Sequence, residues 1–313
     1  GRLRHVEAAF DAPIPDLTLV AGHERMRSTP ILTSLGCPFG CTFCSVTAMF
    51  GRRYRFRSTE NVVDEIEQKR PSHIFFYDDN FAADRARLKR LLRRMIARGV
   101  AVPWQAQVRT DAARDEELLE LMRLSRCETL GLGLESVDQA TLDALHKSQS
   151  VADIEAAVDA IHRHGIRVHG MFVFGADTDD EHTMRRTVDF AISHGIDTVM
   201  LNVLTPAPGT GWFDEVDGEG RIFEKRWQFY DGQHVVLTPL HMEPAALQAA
   251  VLEGYARFYS TGRWARCLIE RRWLTLRDHT WCWWFARRWA KDRRNAAYLR
   301  HLDGVAVGAS RPA

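Results

Sequence analysis

Short apolar runs alternate with longer amphipathic stretches between residues 30 and 204, and this rhythm limits the fold more than any other feature of the chain. Residues 30–35 read as a first strand. Ser58 is placed to cap a helix on which Val62, Val63 and Ile66 share a face, and Arg70-Pro71 ends it. The run "HIFFY", residues 73–77, reads as a buried strand. Leu88, Leu91, Leu92, Met95 and Ile96 follow at helical spacing, with Gly99 as the stop. The unit then returns: strand 102–108 with helix 115–124, strand 129–134 with helix 151–164, and strand 168–174 with helix 181–194. Residues 198–204 form a sixth strand. Units of about 30 residues in this order predict a parallel sheet with right-handed crossovers. Six are too few for a closed eight-stranded barrel. The expected fold class is α/β: an open, partial (β/α)6 TIM-like barrel with a mainly α-helical C-terminal extension.

Three segments follow from this reading: a lead-in over 1–29, the barrel over 30–210 and the extension over 211–313. The extension opens loop-rich, carries a helix over 244–259, and ends basic and rich in tryptophan. Each barrel strand ends in polar or glycine-rich residues: a cysteine loop, Asp78-Asp79-Asn80, Arg109-Thr110-Asp111, Glu135-Ser136, Gly175-Ala176-Asp177 and residues 205–210. In parallel α/β barrels chemistry sits at the carboxyl ends of the strands, so all six would line one mouth.

The cysteine loop carries the most specific chemistry. In "TSLGCPFGCTFCSVTAMFG", Cys37, Cys41 and Cys44 are spaced C-x3-C-x2-C, with Gly36 and Gly40 beside the first two. A structural zinc ion takes four protein ligands, usually as two pairs, and the chain offers no second pair. A catalytic zinc would need an unusual set of three thiolates. A redox pair of Cys41 and Cys44 leaves Cys37 without a role. A [4Fe–4S] cluster uses all three thiols and leaves one iron open to a small chelating molecule. The two glycines let the backbone wrap closely around such a cluster. Cys127, Cys267 and Cys282 are scattered and read as structural thiols.

With Phe43 before the last cysteine, at the end of a first barrel strand, this motif resembles the radical S-adenosylmethionine (radical SAM) superfamily. The resemblance covers about residues 30–210. It implies that the open iron chelates the amino and carboxylate groups of S-adenosylmethionine (SAM). One electron then breaks the sulfur–C5′ bond, and a 5′-deoxyadenosyl radical abstracts a substrate hydrogen. The protein's share is positioning and exclusion of water and oxygen. The resemblance places Phe43 at the adenine and Asp78 or Asp79 at the amino group, where relatives carry a "GGE" segment that this chain lacks. It places Arg109 at the carboxylate, Glu135 and Ser136 at the ribose hydroxyls, and Gly175 in an adenine-side segment. Each also has a structural reading: a turn and helix cap for the aspartates, internal ion pairs for Arg109 and Glu135, close packing for Gly175.

"LTSLGCPFGCTFCS", "FFYDDNF", "GLGLES", "LTPAPGT" and "GEGRIFEKRWQFYDGQHVVLTP" together resemble the core and C-terminal region of cobalamin-associated radical SAM proteins. These methylate unactivated carbons or rearrange rings and lipids. Kinship thus implies cobalamin, held by a domain that would lie upstream of Gly1. It also implies a small or lipid-like substrate and a one-electron reductant such as flavodoxin or ferredoxin. A radical enzyme of the methylthiotransferase type acting on RNA, and a non-catalytic metal-binding protein, are the competing readings.

Net charge is +1, which gives no general pull toward nucleic acid. No apolar run is long enough to span a bilayer, and clustered rather than dispersed cysteines fit a reducing cytoplasm. Residues 263–301 hold eleven Lys/Arg against three acids, and six of the nine tryptophans. A basic aromatic helix can lie on a membrane. Trp283 and Trp284 are adjacent, which favours instead a helix that packs its tryptophans inward and shows its arginines to water.

Overall fold

A computed structural model describes residues 10–51, 53–302 and 304. The strands are β1 (Thr29–Ile31), β2 (Ser34–Leu35), β3 (Arg55–Phe56), β4 (Ile74–Phe76), β5 (Trp104–Val108), β6 (Cys127–Glu135), β7 (Arg167–Phe174) and β8 (Thr198–Val203). The first six helices are α1 (Ser45–Phe50), α2 (Thr59–Lys69), α3 (Arg85–Ala97), α4 (Glu116–Leu124), α5 (Gln139–Ala144) and α6 (Val151–Arg163). The others are α7 (Glu181–Ser193), α8 (Gly211–Gly218), α9 (Pro244–Phe258), α10 (Thr261–Ile269), α11 (Trp273–Trp289) and α12 (Arg293–Leu302).

Six strands form one sheet in the order β1-β4-β5-β6-β7-β8, which is chain order once the β2/β3 ribbon is set aside. Parallel pairing is explicit in the registers Thr29↔Ile74, Ile74↔Trp104 and Gln105↔Thr129. Parallel neighbours joined by helices are the geometry of a partial TIM-like barrel, and a helical C-terminal region follows it.

The first strand is shorter than its sequence suggests. It ends at Ile31, and Ser34–Leu35 leave the sheet to pair antiparallel with Arg55–Phe56. Two polar residues mark the break. The Thr33 N–H and the Thr33 and Ser34 hydroxyls donate to a buried carboxylate, and Ser34 takes Phe56 as its strand partner. Gly36 then turns the chain at φ +85°. Helix α8 was also not expected in the loop-rich crossing. Thr210 caps it by accepting the Phe213 N–H at 3.1 Å.

The described chain divides into two compact units. The first takes the described residues of 10–40, 46–133 and 152–169. Its core holds Phe76 stacked on Phe81 at 4.6 Å between ring centroids, with Trp104 edge-on to both. Ser58 caps α2 through the Asn61 N–H, and Asp84 caps α3 through the Arg87 N–H. The helices bury Val62, Val63 and Ile66 on one and Leu88, Leu91, Leu92 and Met95 on the other, as their spacing predicts, but Ile96, read on the same stripe, is exposed in the last turn of α3.

The second unit takes residues 41–45, 134–151 and 170–302. Here α9 lies along β8. The Tyr255 hydroxyl accepts the Leu201 N–H at 2.9 Å, and the Tyr259 hydroxyl both accepts the Val199 N–H and donates to its carbonyl, each at 2.9 Å. His194 sets its Nδ1 3.1 Å from the Phe190 carbonyl at the end of α7. In the extension Trp289 is buried, but Trp273, Trp281 and Trp284 face solvent, which corrects the expectation of inward-packed tryptophans. The reason is polar: α11 turns Thr275 and His279 inward to bond Asp197.

Candidate functional site

Cys37, Cys41 and Cys44 lie on the segment between β2 and α1. Each is half-buried and none is in a disulfide. The Cys44 N–H donates to the Cys41 carbonyl at 3.3 Å, and Thr47 Oγ1 to the Phe39 carbonyl at 3.1 Å, closing two local turns. The loop's entry is tightly packed. A Cβ on Gly36 would stand 2.2 Å from the Arg53 carbonyl oxygen, so only glycine fits there.

Asp78, which ends β4, is buried and fully engaged. Its carboxylate accepts from the Thr33 N–H (2.7 Å), the Thr33 hydroxyl (2.5 Å) and the Ser34 hydroxyl (2.6 Å). Burial pushes its pKa up, and these hydrogen bonds work against that shift. Arg87, itself buried, donates to Thr33 Oγ1 at 2.9 Å and to the Thr33 carbonyl at 2.8 Å. Asp79 differs. It is exposed, and its Oδ2 accepts the Gly36 N–H at 3.0 Å, one residue before the first cysteine. Arg109 follows β5 with its guanidinium carbon 4.0 Å from the ring centroid of Phe39, which lies inside the C-x3-C loop. The first unit therefore brings Asp79 and Arg109 to the two ends of the Gly36–Phe39 stretch.

In the second unit, Glu135 ends β6 at φ +62°, a strained angle for a side chain of its size. It is buried and bonded to Lys147 Nζ. Ser136 is buried beside it, and its hydroxyl accepts the Asp138 N–H at 3.1 Å. Gly175 follows β7 at φ +98°. Its N–H and that of Ala176 both donate to Asp179 Oδ2, at 3.0 and 3.1 Å, while Thr141 Oγ1 donates to Oδ1 at 3.0 Å. Burial raises the Asp179 pKa to about 6. Phe43 packs against Leu145, Val173, Ala176 and Leu204, with Trp212 on the same patch. Phe43 and the Gly175 segment, both assigned to the adenine side by resemblance, thus share one apolar surface. Lys147 and Asp179 were not singled out in the sequence. The only signal for Asp179 was a carboxylate four residues after a strand-ending glycine.

Among the described residues no three His, Cys, Asp or Glu side chains converge as the ligands of a metal ion. A cluster places each thiolate on a different iron, so three half-buried thiols on a short loop suit its donor chemistry. The tight passage at Gly36 matches a backbone that must wrap closely.

Comparison with known proteins agrees. A family model described as the radical SAM superfamily matches residues 31–191. The chain belongs to the radical SAM superfamily. Membership implies a [4Fe–4S] cluster and SAM. The bacteriochlorophyllide d C-12(1)-methyltransferase of Chlorobaculum tepidum is 33% identical over 217 residues, which are 67% of this chain and 47% of that protein. The anaerobic magnesium-protoporphyrin IX monomethyl ester cyclase of Cereibacter sphaeroides is 31% identical over 231 residues, 72% of this chain and 37% of that one. The chain spans about half the length of such relatives or less. Among solved structures, the radical SAM methyltransferase TsrM of Kitasatospora setae, with cobalamin and a [4Fe–4S] cluster bound, overlays with a TM-score of 0.56. It is 21% identical and covers 64% of this chain and 38% of that one, a likeness of fold.

Proposed function

We propose that this chain is the core of a radical SAM enzyme in which Cys37, Cys41 and Cys44 ligate three irons of a [4Fe–4S] cluster and leave the fourth to SAM. The observation that carries this reading is the C-x3-C-x2-C loop, its three thiols half-buried and its entry fixed by Gly36. When bound, the cluster and SAM supply one-electron cleavage of a sulfonium bond and so a carbon radical. The chain's own residues then divide the work of binding. Asp79, exposed beside Gly36, takes the SAM ammonium, because Asp78 has its acceptors filled by Thr33 and Ser34. Arg109, stacked on Phe39, faces the carboxylate. Phe43 and Ala176 offer the adenine an apolar surface, and Asp179 holds the Gly175–Ala176 backbone in place beneath it. Glu135, fixed by Lys147, and Ser136 serve the ribose hydroxyls.

For the substrate we favour a small or lipid-like molecule that is methylated or otherwise remodelled at carbon. The relatives named above, a methyltransferase and a cyclase, support this class. The cobalamin held by TsrM supports a corrinoid as co-reactant.

The test is anaerobic reconstitution with iron and sulfide, followed by SAM and a strong reductant. Iron is assayed, and 5′-deoxyadenosine and S-adenosylhomocysteine are quantified. Wild type should hold iron and consume SAM, and Cys41→Ala should lose both while its far-UV circular dichroism is unchanged. SAM cleavage that persists in Cys41→Ala, or zinc bound at all three thiols, would overturn the assignment.

A further inference from the structure

Helix α11 turns Thr275 and His279 toward the protein, with Trp289 buried at its end, and sets three tryptophans outward. Thr275 and His279 are 2% and 1% exposed, whereas Trp273, Trp281 and Trp284 are 61%, 67% and 44% exposed. The inward face is held by specific bonds. Thr275 Oγ1 donates to Asp197 Oδ1 at 3.2 Å, His279 Nε2 lies 2.9 Å from the Asp197 carbonyl, and Arg272 bonds the Asp197 carboxylate at the helix start. These contacts fix the helix's rotation, so the outward set of residues is fixed too.

That set is chemically coherent. At 100° per residue, positions 273, 277, 281, 284 and 288 fall within one narrow arc, and they read Trp, Arg, Trp, Trp, Arg. Trp281 and Trp284 stack at 5.6 Å between centroids, and the Arg288 guanidinium lies 4.7 Å from the Trp284 ring. Leu274 and Phe285 flank the arc, and Leu268 and Ile269 at the end of α10 are exposed as well. Asp278 is the nearest acid, and it pairs with Arg277 at 3.0 Å. The segment's charge is strongly positive, eleven Lys/Arg to three acids, on a chain whose net charge is only +1.

We propose that the outward face of α11, continued by the end of α10, docks this protein on membranes containing anionic phospholipid, with the three tryptophans at headgroup depth and Arg277 and Arg288 on the phosphates. Tryptophan prefers the bilayer interface, and interleaved arginines match a negative headgroup layer. Two features favour lipid over RNA. Trp281 and Trp284 stack on each other instead of standing apart for bases, and the leucine and isoleucine side chains suit acyl chains. The inference does not depend on the chemistry proposed for the cysteine loop.

Co-sedimentation of the whole chain with vesicles tests it, using phosphatidylcholine alone and phosphatidylcholine mixed with phosphatidylglycerol. Wild type should bind the mixed vesicles, bind less as salt is raised, and show tryptophan quenching by brominated lipid. The triple variant Trp273→Ser, Trp281→Ser, Trp284→Ser should bind at least about tenfold more weakly, since each ring removed takes interfacial apolar area with it, and should keep its thermal midpoint. The double variant Arg277→Gln, Arg288→Gln should lose about tenfold on mixed vesicles and little on neutral ones. Three results would overturn the proposal: no binding to either vesicle, equal binding by wild type and the triple variant, or a face whose mutation abolishes only self-association or RNA binding.

Discussion

Asp79 accepts the backbone N–H of Gly36 at 3.0 Å, so the residue before the first cysteine is tied directly to the end of β4. Its neighbour Asp78 bonds Thr33 and Ser34, three and two residues before Gly36 in the same strand-to-loop passage. Adjacent aspartates thus support one loop from inside and outside. The inner one meets only protein, and the outer one remains open to solvent.

Substitution should separate these roles. Asp78→Ala strands three donors in the interior and should cost about 3 kcal/mol of stability, read as a lowered thermal midpoint. Asp79→Ala should leave the midpoint nearly unchanged and weaken SAM binding by the reconstituted protein, measured by equilibrium dialysis. Equal destabilisation by both variants would argue that neither is reserved for a ligand.

Asp179 gives a pH signature. Its folded pKa, about 6, lies above the ordinary aspartate value of 3.8. A raised carboxyl pKa stabilises the fold while the group is protonated, and that stability is lost as pH rises through the folded pKa. Between about pH 4 and pH 6 the folded state should therefore lose up to about 3 kcal/mol on this account. Asp179→Asn keeps an acceptor for Gly175 and Ala176 and a donor for Thr141 without the charge. It should match wild type near pH 4 and be the more stable protein at neutral pH. Denaturant melts of both proteins across this range check the sign.

Lys147 and Glu135 form a buried pair. Lys147→Met leaves the carboxylate buried without its cation and should cost about 3–5 kcal/mol. The double variant Lys147→Met, Glu135→Gln should recover much of that loss. A double-mutant cycle on chemical denaturation gives the coupling directly.

Gly36 and Gly175 should respond differently to alanine. At Gly36 the new Cβ would meet a backbone oxygen at 2.2 Å, and the backbone there cannot yield without moving the cysteine loop. Gly36→Ala should therefore lower iron incorporation. At Gly175 the clash, 2.7 Å, is with the end of the Leu247 side chain, which can rotate. Gly175→Ala should cost about 1–2 kcal/mol, chiefly for the left-handed backbone, and retain iron.

The barrel was legible because its signals are local and periodic. Val62, Val63 and Ile66, or Leu88 to Met95, declare a helix face without help from the rest of the chain. The cysteine loop stands out in the sequence because three thiols at fixed spacing have few other uses. What could not be read were pairings across the chain. Nothing near Thr33 announces that its hydroxyl will bond a carboxylate 45 residues on, so the apolar run alone predicts a longer first strand. Lys147 sits among "HKSQS" and gains its meaning only from Glu135. The outward tryptophans of α11 were misjudged for the same reason. Hydrophobicity predicts burial on average, but Asp197 decided which face of this helix turned inward.

A sheet that stops before closing leaves two rows of backbone groups at risk of recruiting strands from other molecules. The short first strand answers this with proline. Thr29 donates its N–H to His73 and Ile31 accepts from Tyr77, so the peptide groups of residue 30 point away from β4, and Pro30 has no hydrogen there to offer. At the opposite end, the hydroxyls of Tyr255 and Tyr259 occupy the backbone of β8 at Val199 and Leu201. Each margin thus offers an incoming strand fewer free backbone donors, the feature by which sheet edges resist pairing with other chains.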